Sequence, residues 1–189
     1  LEAVIANGFD SNALKILKNK KNLRLIDATN LTMENVIRFS SANDFILSQS
    51  EDLEKFNIKN FKIVSKKKPT KSQLKNLIFA FNVCRYVKSN AIVLACKEAT
   101  VGIGSGQPSR LDSCQIAIDK MNKFQNLNDE VVAASDAFFP FVDGLEKLVQ
   151  SGITAVIQPS GSIRDKEIIK FANQTNTVLI FSKTRHFRH

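Results

Sequence analysis

Three short segments of the sequence combine glycine, proline or aromatic residues with single charged side chains, as ligand-binding loops often do. The first is Gly102–Arg110, which reads Gly-Ile-Gly-Ser-Gly-Gln-Pro-Ser-Arg. It matches neither the dinucleotide fingerprint G-x-G-x-x-G nor the P-loop pattern that ends in G-K-[ST]. Its flexible backbone would let a ligand approach closely, and a helix start beside Arg110 favours an anion. The alternative is a tight strand-to-helix turn that carries a surface arginine.

The other two segments also follow predicted strands. Asp136–Asp143 places three phenylalanines around Pro140. This apolar area either plugs the core or forms a wall for a flat ring, with Asp143 accepting hydrogen bonds from ring N–H groups. Pro159–Asp165 lies between a predicted strand and a predicted helix. Because ligands of open α/β sheets bind at the carboxyl ends of strands, we expect the three segments to converge there.

The last six residues, Thr184–His189, contain four side chains that can carry positive charge. Chain ends usually fray. Here the segment directly follows a predicted strand, so we expect it to be held near the same three loops.

Several kinds of catalytic and metal chemistry have no support in the sequence. No G-x-S-x-G motif occurs, and the only histidines, His186 and His189, lie in the terminal segment. Cys84, Cys96 and Cys114 form no C-x-x-C pair, so we expect no zinc site. Their apolar surroundings favour buried, reduced thiols in a cytoplasmic protein.

The net charge of +9 raises the question of nucleic-acid binding. Only seven of the 27 basic residues are arginine, tryptophan is absent, and there is one tyrosine. Scattered lysines of this kind favour a solvated surface over a nucleic-acid face. A free-standing basic module for nucleic acid or a phosphorylated small molecule is the alternative.

Targeting signals and membrane spans have no support either. The sequence contains no apolar stretch long enough to span a bilayer and no secretory signal pattern. The sequence starts at Leu1 within a predicted strand, and we expect it to be part of a longer protein.

The elements that must position these segments alternate between strands and helices, which predicts a layered α/β fold. Predicted strands cover Ala3–Ala6, Leu23–Ile26, Phe61–Val64, Ala91–Cys96, Thr100–Ile103, Val131–Ala134, Thr154–Ile157 and Val178–Phe181. Predicted helices follow Asp10, the capping-box sequence Thr70–Gln73 and Ser109, and also cover about Gly144–Gln150 and Asp165–Ala172. The first strand, helix and strand favour a parallel pair. Residues 30–58 are weakly patterned and predict a loop with at most a short helix.

Five ordered motifs make the chain similar to a known family. They are Lys88–Ile92, Val101–Arg110, Ser135–Phe141, Gln158–Asp165 and Arg185–His189. Together they resemble the formyltransferase domain of the bifunctional purine-biosynthesis enzymes that join AICAR transformylase to IMP cyclohydrolase. The resemblance implies a cytidine-deaminase-like α/β fold and a cytoplasmic homodimer whose active site lies between subunits. It also implies transfer of a formyl group from 10-formyltetrahydrofolate to AICAR, giving FAICAR, with no metal, nucleic acid or membrane involved.

The same resemblance assigns roles to ten residues. Asn90 would lie beside the reacting carboxamide and formyl groups. Contacts to the nucleotide would come from Arg110, Phe138, Arg185, Phe187 and His189, with Arg185 on the phosphate. Contacts to the folate would come from Leu111, Asp143, Ser162 and Ile163.

The chain departs from the family pattern in ways that limit its expected activity. The K-H-x-x-P-x-G segment is absent, and its histidine and lysine would serve as proton acceptor and oxyanion stabiliser. The cyclohydrolase domain is also absent. Val142 stands where many relatives have a basic residue. We therefore expect residues 1–69 to complete a preceding subdomain, residues 70–189 to form the carboxy-terminal subdomain, and the chain alone to be inactive.

Overall fold

The computed structural model of the protein describes residues 2–31, 37–52, 57–123 and 129–188. It divides into two compact units, Leu1–Glu51 and Asp52–His189. The domain assignment made from the sequence, with its boundary after residue 69, stays a prediction.

The unit Leu1–Glu51 contains two small sheets. Strands β1 (Ala3–Ala6) and β2 (Arg24–Asp27) pair in parallel around helix α1 (Ser11–Leu17), which confirms the predicted parallel pair. The Asp10 carboxylate accepts a hydrogen bond of 2.7 Å from the Ala13 N–H, so the predicted cap is also confirmed.

The second small sheet contradicts the predicted loop over residues 30–58. Strands β3 (Ile37–Ala42) and β4 (Phe45–Ser50) form an antiparallel hairpin. Its two-residue connection contains Asn43 with φ of +52°, a conformation that asparagine tolerates. The pattern was misleading because β4 begins with three consecutive apolar residues, Phe45–Leu47, and the apolar–polar alternation of β3 covers only Ile37–Ser40. Residues 32–36 and 53–56 of the predicted loop lie outside the described residues.

The unit Asp52–His189 is built on one mixed six-stranded sheet, which confirms the predicted α/β class. A short 3-10 turn (Ile58–Asn60) precedes its first strand. In chain order the strands are β5 (Phe61–Ile63), β6 (Ile92–Cys96), β7 (Ala99–Gly104), β8 (Val132–Ser135), β9 (Ala155–Pro159) and β10 (Val178–Ser182). Their spatial order is β5-β10-β9-β8-β6-β7. Each lies within two residues of its predicted bounds.

Four helices cover the two faces of this sheet. They are α2 (Lys71–Cys84), α3 (Arg110–Met121), α4 (Val142–Gln150) and α5 (Asp165–Gln174). Side chains of α2 share one buried cluster with Val93 and Ala95, whereas α3, α4 and α5 share the other with Ile92 and Leu94. Alternate residues of β6 thus point to opposite faces, and every residue of β6 is buried.

The helix starts agree with the sequence prediction in one case and differ in another. The capping box at Thr70 and Gln73 is present in full, with bonds of 3.1 and 2.8 Å. Helix α3 begins after Ser109 as predicted, but the Ser109 side chain makes no capping hydrogen bond.

The glycines of Gly102–Arg110 serve a different purpose from the predicted one. Gly102 and Gly104 lie within β7, directly under α3. A Cβ at Gly104 would lie 1.9 Å from the Ser113 carbonyl oxygen, and one at Gly102 would lie 2.1 Å from that of Ala117. These glycines therefore allow the helix to approach the strand, and the prediction that they leave backbone open to a ligand is wrong.

A candidate ligand pocket at one edge of the sheet

The strand directions bring the sequence-predicted segments to one edge of the sheet. Strands β8, β9 and β10 are parallel to one another, and β6 is antiparallel to both β8 and β7. The carboxyl ends of β7, β8, β9 and β10 therefore share an edge with the amino end of β6. All three loops and the terminal segment leave the sheet at this edge, as predicted.

A pocket of about 450 Å³ opens at this edge. Seven of the ten residues to which the family resemblance assigned a role lie in its wall. They are Asn90, Arg110, Leu111, Phe138, Asp143, Arg185 and Phe187. Pro108, Ser109, Ala137, Phe139, Pro140, Phe141 and Gly144 complete the wall.

The floor of the pocket contains Arg110, which is held from beneath by a buried ion pair with Asp136. The Arg110 Nη1 lies 2.5 Å from the Asp136 Oδ1 and 2.9 Å from the Ser135 Oγ. Arg110 is 8% exposed and Asp136 is 1% exposed. The Ser89 hydroxyl donates to the second carboxylate oxygen of Asp136. Because Asp136 neutralises the guanidinium, Arg110 is a fixed hydrogen-bond donor here more than a free positive charge.

The same guanidinium orients Asn90, which stands directly before β6. The Arg110 Nη2 donates to the Asn90 Oδ1 over 2.7 Å. The Asn90 amide nitrogen donates to the carbonyl oxygens of Gln107 and Pro108, at 3.0 and 3.1 Å. Its backbone carbonyl accepts a bond of 2.9 Å from the Ser113 hydroxyl. Asn90 is thus held on the pocket wall by the loop before α3 and by the first turn of that helix.

The phenylalanines of Asp136–Asp143 divide between the two predicted roles. Phe139 is buried in the core, whereas Phe138 is half-buried and Phe141 exposed in the pocket wall. Asp143 is exposed, and its Oδ1 accepts a hydrogen bond of 2.7 Å from the Gly144 N–H. One ring therefore plugs the core, while two rings and a carboxylate face the pocket.

The terminal segment closes another side of the pocket. The Arg185 guanidinium carbon lies 4.1 Å from the centre of the Phe187 ring, and both side chains are exposed. Main-chain hydrogen bonds tie the segment to the loops: the His186 N–H donates to the Asp136 carbonyl oxygen, and the Ser89 N–H to that of Arg188. The expectation that this segment lies near the loops is confirmed.

Two of the described residues to which the family resemblance assigned a role are not in the pocket wall. Ile163 is fully exposed and Ser162 half-buried, and neither lines the pocket. Their loop nevertheless lies beside it, because the Arg164 guanidinium stands 4.7 Å from the centre of the Phe141 ring. His189 lies outside the described residues.

Residues Ser89, Ser135 and Asp136 support the site, although the sequence analysis gave them no role. A usable signal was present, because an aspartate directly after a buried strand, near a pocket arginine, is a natural partner for it.

The charge of Asp136 also acts on Cys84: burial, and then that charge, raise the pKa of the Cys84 thiol. Burial raises the pKa of Cys114 to about 12. Both thiols are therefore protonated at neutral pH.

Neither a metal site nor a membrane span is found within residues 2–31, 37–52, 57–123 and 129–188. No group of three or more histidine, cysteine, aspartate or glutamate side chains there could hold a metal ion. None of the helices in those ranges has the length and apolar character needed to cross a membrane.

The protein is therefore an α/β protein whose pocket lies at the carboxyl ends of the sheet strands, where proteins of this class usually bind their ligands. The sequence profile of the AICARFT/IMPCHase bienzyme family matches residues 1–120. The chain belongs to this family.

Individual relatives match the chain over its whole length. The bifunctional purine biosynthesis proteins PurH of Ligilactobacillus salivarius and Buchnera aphidicola are each 44% identical to it, and that of Caldicellulosiruptor saccharolyticus is 45% identical. The chain covers 37%, 36% and 36% of these three proteins, so it spans little more than a third of their length.

Proposed function

We propose that the chain provides the nucleotide- and folate-binding part of an AICAR transformylase in purine biosynthesis. The complete enzyme would transfer a formyl group from 10-formyltetrahydrofolate to the amino group of AICAR. The observation that carries this proposal is the convergence of seven sequence-assigned residues on one pocket. A cytidine-deaminase-like fold, in two subdomains, belongs to the same proposal.

Arg185 is the group best suited to bind the nucleotide phosphate. It is exposed in the pocket wall, and no carboxylate among the described residues lies within salt-bridge distance of it. Arg110 is already paired with Asp136. A phosphate dianion at Arg185 would therefore gain an uncompensated charge partner, while Phe187 holds the guanidinium plane in place.

The uncharged parts of the ligands fit the other side of the pocket. Phe138 provides an apolar face for the AICAR base, and Leu111 an apolar contact for the folate. Asp143 would accept hydrogen bonds from ring N–H groups of the folate. Asn90 presents an oriented amide, which can bind the carboxamide of AICAR beside the formyl group. Ser162, Ile163 and His189 would contribute from neighbouring segments.

In this proposal these groups bind and orient the substrates, and none of them is assigned the proton transfer. The K-H-x-x-P-x-G segment that would supply the proton acceptor and the oxyanion stabiliser is not in this sequence. We propose that it comes from another part of the complete enzyme, with the active site shared between two subunits of a cytoplasmic homodimer. The chain alone would bind ligand without turning it over.

Arg185→Ala in the chain of residues 1–189 tests the proposed phosphate contact. Its exposed neighbour Lys183 lies outside the pocket wall, so Lys183→Ala is the matched control. Loss of a charged hydrogen bond costs about 1.5–3 kcal/mol, which corresponds to a Kd for AICAR about 10- to 150-fold higher. Calorimetric titration should give that increase for Arg185→Ala and an unchanged Kd for Lys183→Ala.

Two results would contradict the proposal. An equal loss of affinity in both variants would indicate general attraction to a basic surface. FAICAR formation by the unmodified chain with both substrates would show that no missing segment is needed.

A further inference from the structure

The terminal segment alternates between pocket-facing and buried side chains. Arg185 and Phe187 line the pocket, and His186 between them is 5% exposed. Residues 183–188 belong to no helix or strand. Because no sheet ladder fixes this stretch, the contacts of the His186 side chain help to set the direction in which Arg185 and Phe187 point, together with the main-chain hydrogen bonds of the segment.

Among the described residues, the side chain of His186 makes a hydrogen bond and a ring contact. Its Nδ1 lies 2.5 Å from the Asp52 Oδ2, and its ring centre lies 4.7 Å from that of Phe81 in helix α2. A carboxylate can only accept a hydrogen bond, so Nδ1 carries the proton and donates it. Asp52 is fixed in turn by Arg85, whose Nη2 lies 3.6 Å from the other carboxylate oxygen and also donates to the Asp52 carbonyl.

The main chain on either side of this anchor contacts the floor of the pocket. The His186 N–H donates over 3.0 Å to the carbonyl oxygen of Asp136, whose carboxylate holds Arg110. The Ser89 N–H donates over 2.9 Å to the Arg188 carbonyl, beside Asn90. A shift of His186 would thus move Arg185 and Phe187 relative to the groups they face.

We propose that His186 is a positioning residue, and that its hydrogen bond to Asp52 holds Arg185 and Phe187 on the pocket wall. His186 does not touch the pocket itself. The link to AICAR rests on the proposed function, whereas the anchoring of the segment does not.

Two substitutions separate the hydrogen bond from the ring contact. His186→Phe keeps a flat ring against Phe81 and removes the donor, whereas His186→Asn places an amide N–H close to the position of Nδ1. Hydrogen exchange of the residue 186 main-chain amide, measured by NMR on the chain of residues 1–189, reports the anchoring directly. Exchange should be about tenfold faster in His186→Phe and within about threefold of the unmodified chain in His186→Asn.

Asp52→Ala repeats the test from the other partner, and it carries the test if His186→Phe does not fold. It removes the acceptor from a partly exposed position and leaves the histidine in place. Its residue 186 amide should exchange as fast as that of His186→Phe, and the double variant should add nothing further. If the residue 186 amide of either variant exchanged as slowly as in the unmodified chain, the hydrogen bond between His186 and Asp52 would not be what holds the segment.

Calorimetric titration with AICAR completes the experiment. His186→Phe and Asp52→Ala should each raise the Kd about tenfold, and His186→Asn should restore it, because Arg185 and Phe187 are unchanged in all three. An unaltered Kd in chains with fast amide exchange would overturn the positioning role. If the unmodified chain does not bind AICAR, the proposed function fails, while the exchange rates still decide whether His186 anchors the segment.

Discussion

The two units of the chain differ sharply in how they bury apolar side chains. In Asp52–His189, every residue of β6, β8, β9 and β10 is buried, and helices cover both faces of the sheet. In Leu1–Glu51, the described side chains include one buried apolar residue, Ala28. Its two-stranded sheets expose Ile5, Ile26, Phe39, Phe45, Ile46 and Leu47.

This difference indicates what a binding site requires of the surrounding fold. Asn90 and Arg110 are held by hydrogen bonds from several segments, and those segments are fixed because the strands beneath them are packed on both sides. A two-stranded sheet with uncovered apolar faces has little independent stability and cannot fix side chains to that degree.

Asp136→Ala should cause the greatest loss of stability. It leaves the buried Arg110 guanidinium without its carboxylate, which costs about 3–5 kcal/mol in the free energy of unfolding. Asp129→Ala is the matched control, because Asp129 pairs with an exposed Lys97 at 2.7 Å and its loss should leave stability almost unchanged. Urea unfolding followed by circular dichroism measures both. Similar midpoints for the two variants would mean that the Arg110–Asp136 pair does not support the pocket floor.

One leucine in each unit provides a direct comparison of packing. Leu94 in β6 is 0% exposed and Leu47 in β4 is 62% exposed. Leu94→Ala should lower the free energy of unfolding of the sheet unit by about 2–5 kcal/mol. Leu47→Ala should change stability by less than about 0.5 kcal/mol. A large loss of stability from Leu47→Ala would show that the Leu47 side chain is buried in solution.

The packed unit could be predicted from the sequence far better than the exposed one. Ala91–Cys96 is apolar and β-branched because both of its faces are buried, so the strand was evident. The hairpin β3–β4 was missed because alternation is limited to Ile37–Ser40 in β3 and is absent from the apolar run Phe45–Leu47 in β4. At the site, the sequence predicts that Arg110, Phe138 and Arg185 lie close together, because each belongs to a segment that follows a predicted strand. For the Arg110–Asp136 pair the sequence offers only an indirect signal, an aspartate directly after a buried strand. It offers none for the His186–Asp52 contact, because only the folded chain brings these two residues together.

The smallest predicted effect concerns the reactivity of Cys114, which lies in the unit Asp52–His189 and so tests the packing of that unit. Burial raises the pKa of Cys114 from its ordinary 9.0 to about 12. Between pH 9 and 12 the Cys114 thiol therefore loses its proton in the unfolded chain but keeps it in the folded chain. The free energy of unfolding should fall as the pH rises through this range. Alkylation with iodoacetamide at pH 8, followed by mass spectrometry, should leave Cys114 unmodified in the folded chain and modify it in urea. Rapid alkylation without urea would mean that the sheet unit opens readily.

The central claim is that one edge of the sheet collects the binding groups into a single nucleotide pocket. Titration of the isotope-labelled chain with AICAR, followed by NMR chemical shifts, tests it most directly. Shift changes should concentrate at Asn90, Arg110, Phe138, Arg185 and Phe187, and they should persist when the salt concentration is raised. Shift changes located in Leu1–Glu51, or spread over surface lysines and abolished by salt, would contradict the claim.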